Sequence, residues 1–212
     1  MAVLAPALLA VTLTVSVRLG WAPVLRVDAA LSDGAAHLVD SHPRVVAPAA
    51  VVTTVLGPWP LRLAVVSAAL VPARRGRPRH ASWAAATVLS GGVVGGLLKV
   101  LVGRDRPQPD VAFAVARGAA YPSGHALTAV LVAGVVAVPL VTVGRPPAIV
   151  RLRALSALAL AAVSVGCTRV VLGVHWASDV VGSWLVALAC LAAAVYGWPP
   201  GQPAGRASTA PV

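Results

Sequence analysis

Glutamate is absent from this 212-residue chain, only six residues are acidic, and a single lysine stands among its 17 basic residues, so charge falls to 11% of the sequence. A soluble domain of ordinary composition carries about 25% charged residues. A chain this poor in charge cannot coat a water-exposed surface. Cysteine is nearly missing as well: Cys167 and Cys190 are the only two, which excludes a disulfide scaffold. Both lie inside apolar runs and read as buried free thiols. Disorder is excluded by a hydrophobic content of 58%. What is present is apolar sequence, with a mean hydropathy of +0.87. The length fits one domain, and the class is an all-α, polytopic membrane helix bundle. The net charge of +11 would suggest a nucleic-acid partner in a soluble protein. In a membrane protein the cations have to be sorted by position first, and that sorting leaves no role for nucleic acid.

Apolar segments near Met1–Val17, Val45–Ala73, Ala81–Val102, Ala126–Val143, Leu152–Val174 and Val180–Trp198 give six candidate crossings. The first lacks a basic flank and a cleavage site and reads as a retained helix. Gly57-Pro58-Trp59-Pro60 and Arg62 interrupt the second, so an interfacial helix over 45–56 and a short span over 58–73 are expected. Arg74, Arg75, Arg77 and Arg79 lie between spans two and three with no acid, and Arg145, Arg151 and Arg153 lie likewise between spans four and five. By the positive-inside rule those loops are cytoplasmic. In the connection 18–44, Arg18, Arg26 and Arg44 are balanced by Asp28, Asp33 and Asp40, which fits the outer side. Both termini are then cytoplasmic, and loops 103–122 and 168–179 share the outer face. Residues 1–198 form one membrane-embedded domain, and the Pro/Gly/Ala-rich tail 199–212 reads as disordered.

Three polar clusters fall on that outer face. The first is Lys99, Arg104, Asp105, Arg106 and Pro107 at the end of span three. Arg104 alone is as readily a snorkelling anchor as a functional group. Lys99 and Arg106 are seven residues apart and would share a face on a continuing helix. The second is Tyr121-Pro122-Ser123-Gly124-His125: serine suits a helix N-cap, glycine permits close approach to the backbone, and a helix N-terminus attracts anions. The third is Thr168-Arg169 with His175 and Asp179, whose spacing of four lets the carboxylate orient the ring. Lys99, Arg106 and Arg169, the Ser123–Gly124 backbone, two imidazoles and an orienting aspartate suit a phosphoryl group. Magnesium is disfavoured, because only Asp105, Asp110 and Asp179 supply carboxylates nearby. A zinc site of His125, His175 and Asp179 is disfavoured by the surrounding cations. No metal and no cofactor are expected.

The order Lys99-x6-Arg106-Pro107, Pro122-Ser123-Gly124-His125, Arg169-x5-His175-x3-Asp179 resembles the type 2 phosphatidic acid phosphatase (PAP2) superfamily, which includes lipid phosphatases and soluble vanadium haloperoxidases. The likeness is strong over about residues 95–185. Thr168 departs from it, since the family usually has serine there. The resemblance implies a PAP2/haloperoxidase-like helical core and a metal-independent lipid phosphatase. It further implies that His175 attacks phosphorus, Asp179 holds its ring and His125 protonates the leaving alkoxide. Lys99, Arg106, Ser123, Gly124 and Arg169 would bind the phosphate. The implied substrate is a lipid phosphate or diphosphate, such as polyprenyl diphosphate, phosphatidic acid or phosphatidylglycerophosphate. Phe113, Arg117 and Tyr121 are expected to set that choice. The implied location is a bacterial cytoplasmic membrane with the site outward and membrane lipids as partners; oligomeric state is not readable. The competing reading is a transporter or scaffold that binds a phosphorylated ligand without turnover. A soluble haloperoxidase conflicts with the composition.

Overall fold

The computed structural model describes residues 4–74, 78–108, 116–144 and 146–197. The expectations for Arg75, Arg77, Asp110, Phe113, Arg145 and the tail 199–212 concern residues outside that set.

Helix α1 covers Leu4–Arg18 and ends at Gly20, whose φ of +66° only glycine adopts without strain. Trp21 then leads into α2, Ala22–Ser41, with proline in its first turn, where a missing N–H costs nothing. The two helices meet at 85°. Residues 18–44, read from the sequence only as a charge-balanced connection, are therefore largely helical. Their acids are not mere surface counter-charges, since Asp28 is only 1% exposed. A 3₁₀ turn, Pro43–Val45, enters α3, Val46–Val55, and Pro58 opens α4, Pro58–Arg74. The break at Leu56–Gly57 falls where glycine and proline predict it. By length and composition the stretch Pro43–Ala68, which runs across this break, is apolar enough to cross a membrane.

Four long helices follow: α5, Pro78–Val102; α6, Gly124–Pro139; α7, Ala148–Val171; and α8, Ala177–Gly197. Pro139 cannot donate its backbone hydrogen bond, and the chain passes directly into a π-helical turn over Leu140–Gly144. Five helical stretches are long and apolar enough to cross a membrane, or six when the bent pair α1–α2 counts as one. No strand occurs among the described residues.

Helix α6 sits centrally, against α4, α5, α7 and α8. Glycines set how closely the helices approach. Side-chain atoms of Leu131 and Leu127 stand 2.5 Å from where a Cβ would lie on Gly91 and Gly95, and Val180 and Trp184 stand 2.6 Å from that position on Gly166. Small residues at helix interfaces are the membrane alternative to a hydrophobic driving force, which lipid removes. Trp83, Leu127, Leu131, Val186, Ala187 and Leu191 fill the core between α5, α6 and α8. Helix α7 turns Val165, Gly166, Thr168 and Arg169 inward, so Cys167 points outward. It is exposed, and Cys190 is half-buried; neither is the fully buried thiol expected.

This packing gathers the C-terminal ends of α5 and α7 and the N-terminal ends of α6 and α8 at one end of the bundle. Arg74, Arg79, Arg151 and Arg153 belong to the other ends of those helices and their neighbours.

Candidate active site

Helix α5 stops at Val102, where Gly103 (φ +61°) donates to the Lys99 carbonyl at 3.0 Å. Arg106 is thus beyond the helix, and the shared helical face expected for Lys99 and Arg106 is not what unites them. They converge because both reach the same strip of backbone. Lys99 Nζ donates to the Ala119 carbonyl at 2.6 Å, and Arg106 donates to the carbonyls of Gly118 (2.9 Å), Arg117 (3.2 Å) and Ala119 (3.3 Å). Gly118 makes that strip possible, with a φ of +71°. The remaining Arg106 nitrogen, Nη1, donates to the Val174 carbonyl at 2.6 Å and lies 3.1 Å from His175 Nε2.

Ser123 stands at the N-cap of α6, yet its hydroxyl makes no capping bond. Its Oγ is buried and has no hydrogen-bond partner. Apart from its chain neighbours and its own helix backbone, nothing lies within 4 Å of where a Cβ on Gly124 would project, so that side of the helix start is open. A buried orphan hydroxyl beside an open helix N-terminus is a donor set waiting for an anion. His125, half-buried in the first turn of α6, lies against the α3–α4 break: its Nε2 is 3.6 Å from the Cβ position of Gly57. It is within electrostatic range of Arg169, His175, Arg106 and Lys99.

Arg169 occupies the last turn of α7 and is only 5% exposed. Its Nη1 donates to Thr53 Oγ1 on α3 at 2.7 Å, while its Nε is buried without a partner. The Arg169 carbonyl accepts from the N–H groups of Val174 and His175 and so ties down the turn that follows. Thr168 turns its hydroxyl back onto the Val165 carbonyl at 2.8 Å. The hydroxyl that threonine shares with serine is thus spent on the backbone of its own helix.

His175 precedes α8 and Asp179 lies in its first turn, so the pair is not on one helix as its spacing suggests. The turn delivers the same result: His175 Nδ1 is 3.3 Å from Asp179 Oδ2. That oxygen also accepts from the Trp176 N–H at 2.9 Å, and Arg104 Nη1 donates to Oδ1 at 2.8 Å. Burial pushes the His175 ring down to about 4, with Asp179 opposing and the charges of Arg106 and Arg169 adding to the fall. The ring is neutral at physiological pH. With Nδ1 turned toward the carboxylate, the free lone pair is on Nε2.

Sequence reasoning missed four participants. Arg104 is no snorkelling anchor: its guanidinium bridges Asp28 (2.6 Å) and Asp179 (2.8 Å) and lies 5.3 Å from the Trp176 ring centre. Asp28 and Thr53, from α2 and α3, lie 76 and 116 residues from the arginines they hold. No local pattern marks them, beyond an acid and a hydroxyl in otherwise apolar helices. Trp176 fastens the end of the first cluster by donating from Nε1 to the Asp105 carbonyl at 2.9 Å. Tyr121 was expected to influence substrate choice, but it is fully buried, with its hydroxyl 2.7 Å from Thr14 Oγ1 on α1. Burial raises its phenol above the ordinary value, so it stays neutral and serves packing. Arg117 is exposed at the same end as the site. Among the described residues no three His, Cys, Asp or Glu side chains form a group placed to hold a metal ion.

A family model described as the PAP2 superfamily matches residues 80–202. No curated protein sequence matches the chain. Among solved structures, the chain is similar to the crystal structure of the first transmembrane PAP2-type phosphatidylglycerolphosphate phosphatase from Bacillus subtilis. The TM-score is 0.79 at 21% identity, over 92% of this chain and 95% of that one. At that identity the likeness is one of fold.

Proposed function

This chain belongs to the PAP2 superfamily, and on that premise we propose that it is a metal-independent phosphatase acting on a lipid phosphate or diphosphate through a phosphohistidine on His175. One observation carries the reading: Asp179 holds the buried, neutral His175 ring while Arg106 stands 3.1 Å from its Nε2, and Arg169 Nε and Ser123 Oγ lack partners. Arginine forks and a helix N-terminus match phosphate oxygens, and fixed donors stabilise the charge that builds on them during transfer.

The reaction proceeds in two displacements. The lone pair of His175 Nε2 attacks phosphorus, and Arg106 passes its contact from the ring to a phosphate oxygen. The bond from phosphorus to the lipid oxygen breaks, and His125 gives its proton to the departing alkoxide. Water then attacks the phosphohistidine, His125 takes a proton from that water, and His175 leaves as a neutral ring. Asp179 holds Nδ1 throughout and balances the positive charge of the phosphorylated imidazole. Lys99, Arg106, Arg169, Ser123 and the Gly124 backbone bind phosphate.

The bundle-end position supports a lipid substrate, since a head group can enter from water while its tails stay among the exposed apolar side chains. It lies opposite the ends that carry Arg74, Arg79, Arg151 and Arg153, which supports an outward site in a multi-pass cytoplasmic membrane protein. Polyprenyl diphosphate, phosphatidic acid and phosphatidylglycerophosphate all fit that description, the last being the substrate class in the name of the Bacillus subtilis phosphatase. The test is phosphate release by purified protein in detergent across that panel, with EDTA present. Turnover should persist with chelator and vanish in His175→Ala. Chelator-sensitive turnover, or turnover surviving His175→Ala, overturns the mechanism. Ligand binding with no turnover would favour the transporter or scaffold reading.

A further inference from the structure

We propose that Arg104 and Asp28 are positioning residues for the His175–Asp179 pair, so that the N-terminal helix α2, outside the segment matched by the family model, takes part in setting the nucleophile. The proposal rests on the phosphatase reading above. Its basis is a buried chain of charges that the mechanism does not otherwise use. Arg104 donates from Nη1 to Asp179 Oδ1 (2.8 Å) and to Ser178 Oγ (2.6 Å), and from Nη2 to Asp28 Oδ2 (2.6 Å). Asp28 also accepts from the Ser178 N–H (2.8 Å) and from its hydroxyl (2.6 Å). Asp28 thereby caps the start of α8 from another helix, one residue before Asp179.

Two consequences follow. With Oδ1 taken by Arg104, the carboxylate cannot rotate, and Oδ2 is the oxygen left for the Trp176 N–H and His175 Nδ1. The chain also meters charge. Two carboxylates against one guanidinium leave one net negative charge, enough for a single positive charge developing on the His175 ring. A buried ion chain gives little net stability, because desolvation offsets most of the attraction. Its retention here is accounted for by geometry at the ring.

Opposite electrostatic effects separate this from a structural brace. The groups acting on His175 are Asp179 of α8, Arg106 of the loop after α5, Arg169 of α7 and His125 of α6. Removing the Arg104 charge leaves Asp179 pulling harder on a ring proton, whereas removing the Asp28 charge leaves Arg104 drawing on Asp179 unopposed. Arg104→Gln should therefore move the titration of His175 upward and Asp28→Asn should move it downward.

The experiment compares wild type, Arg104→Gln, Arg104→Lys, Asp28→Asn and the double variant by kcat, KM and pH profile. In parallel, the imidazole nitrogens of the five histidines are titrated by NMR in the intact, ¹⁵N-histidine-labelled protein, with His175→Ala assigning the resonance. The single variants Arg104→Gln and Asp28→Asn should lower kcat about tenfold or more with KM within about threefold, and the double variant should be no worse than Arg104→Gln by more than about threefold. The His175 titration should shift in opposite directions in the two single variants. Wild-type kcat and titration in both single variants, shifts of the same sign, or multiplicative losses in the double variant would overturn the proposal. If Arg104→Gln yields no folded protein, Arg104→Lys decides: it keeps the charge and loses the fork, so kcat should fall while the titration stays in place, and wild-type kcat would overturn the proposal. If wild type releases no phosphate from any lipid, the phosphatase reading fails, and the NMR titrations still judge the positioning role.

Discussion

His175 is the nucleophile of the proposed mechanism, and its depressed titration gives a pH dependence of definite sign. The folded ring refuses a proton until about pH 4, whereas an unfolded histidine takes one near 6.5. Between those values the unfolded chain binds more protons, so stability rises with pH across that window and the fold loses support as pH drops through it. The proposed attack on phosphorus needs the neutral ring. The acid limb of kcat/KM should therefore lie near pH 4, and a limb near 6.5 would show a ring that titrates as though exposed. Thr53 offers a second test. It is the hydrogen-bond partner given to buried Arg169 by α3, and Thr53→Val removes that acceptor without changing side-chain size. A hydrogen bond to a charged group is worth about 1.5 kcal/mol, so KM should rise roughly tenfold with kcat little changed. A fall in kcat at constant KM would instead place Thr53 in the transition state. At this scale the sequence discloses the polar residues that the fold gathers and conceals those that hold them. His125, His175, Asp179, Lys99, Arg106 and Arg169 stand out because polar groups in apolar runs need a reason to be there. Asp28, Thr53 and Arg104 do not, because their partners are distant in the chain and each has an unremarked local role as cap, helix hydroxyl or rim charge.

Glycines decide how the helices meet. Gly166 receives the Trp184 ring and Val180 of α8, whereas nothing approaches the Cβ position of Gly96 on α5 within 4 Å. Both are helical, so the two alanine substitutions differ in packing alone. Gly166→Ala should destabilise by about 1–3 kcal/mol through overpacking, a loss of roughly 3–10 °C in apparent Tm for a chain of this size. Gly96→Ala should be neutral or slightly stabilising, since alanine is the better helix former. Thermal unfolding in detergent, followed by loss of monodisperse protein, reads both; equal midpoints for the two variants would mean that α7 and α8 do not pack through Gly166. Helix extents were legible from apolar run length, and the Gly57-Pro58 break was legible from two residues that interrupt helices. The α1–α2 corner was not. Its α2 half carries Asp28, Asp33 and Asp40 and reads as a polar connection until Asp28 is seen turned inward to Arg104. The end of α5 at Val102 was legible from the apolar run, but the way Lys99 and Arg106 meet was not, because Gly103 stops the helix on which their seven-residue spacing would have aligned them.

The whole molecule separates its charges by end. Lys99, Arg106, Arg169, His125 and His175 gather where α5 and α7 finish and α6 and α8 begin, while Arg74, Arg79, Arg151 and Arg153 belong to the opposite ends. These two groups of cations answer to different physics. Those at the far end lie at the end of α4 and the starts of α5 and α7, where the positive-inside rule predicts retention on the cytoplasmic side. Those at the candidate site bond to backbone carbonyls, to Thr53 or to His175, so they are set apart from the topology count. Counting all arginines together would cancel the signal that sorting them restores. The orientation that follows is testable without reference to activity. In a background with Cys167 and Cys190 replaced by serine, a cysteine at exposed Arg117 samples the site end and one at exposed Pro147 samples the other. A membrane-impermeant maleimide applied to intact spheroplasts should label Arg117→Cys and leave Pro147→Cys unlabelled until the membrane is opened. The reverse pattern would put the site in the cytosol and restrict its substrates to lipids of the inner leaflet. It would leave the geometry around His175 untouched, because the chemistry depends on which groups converge and the biological substrate depends on which side they face.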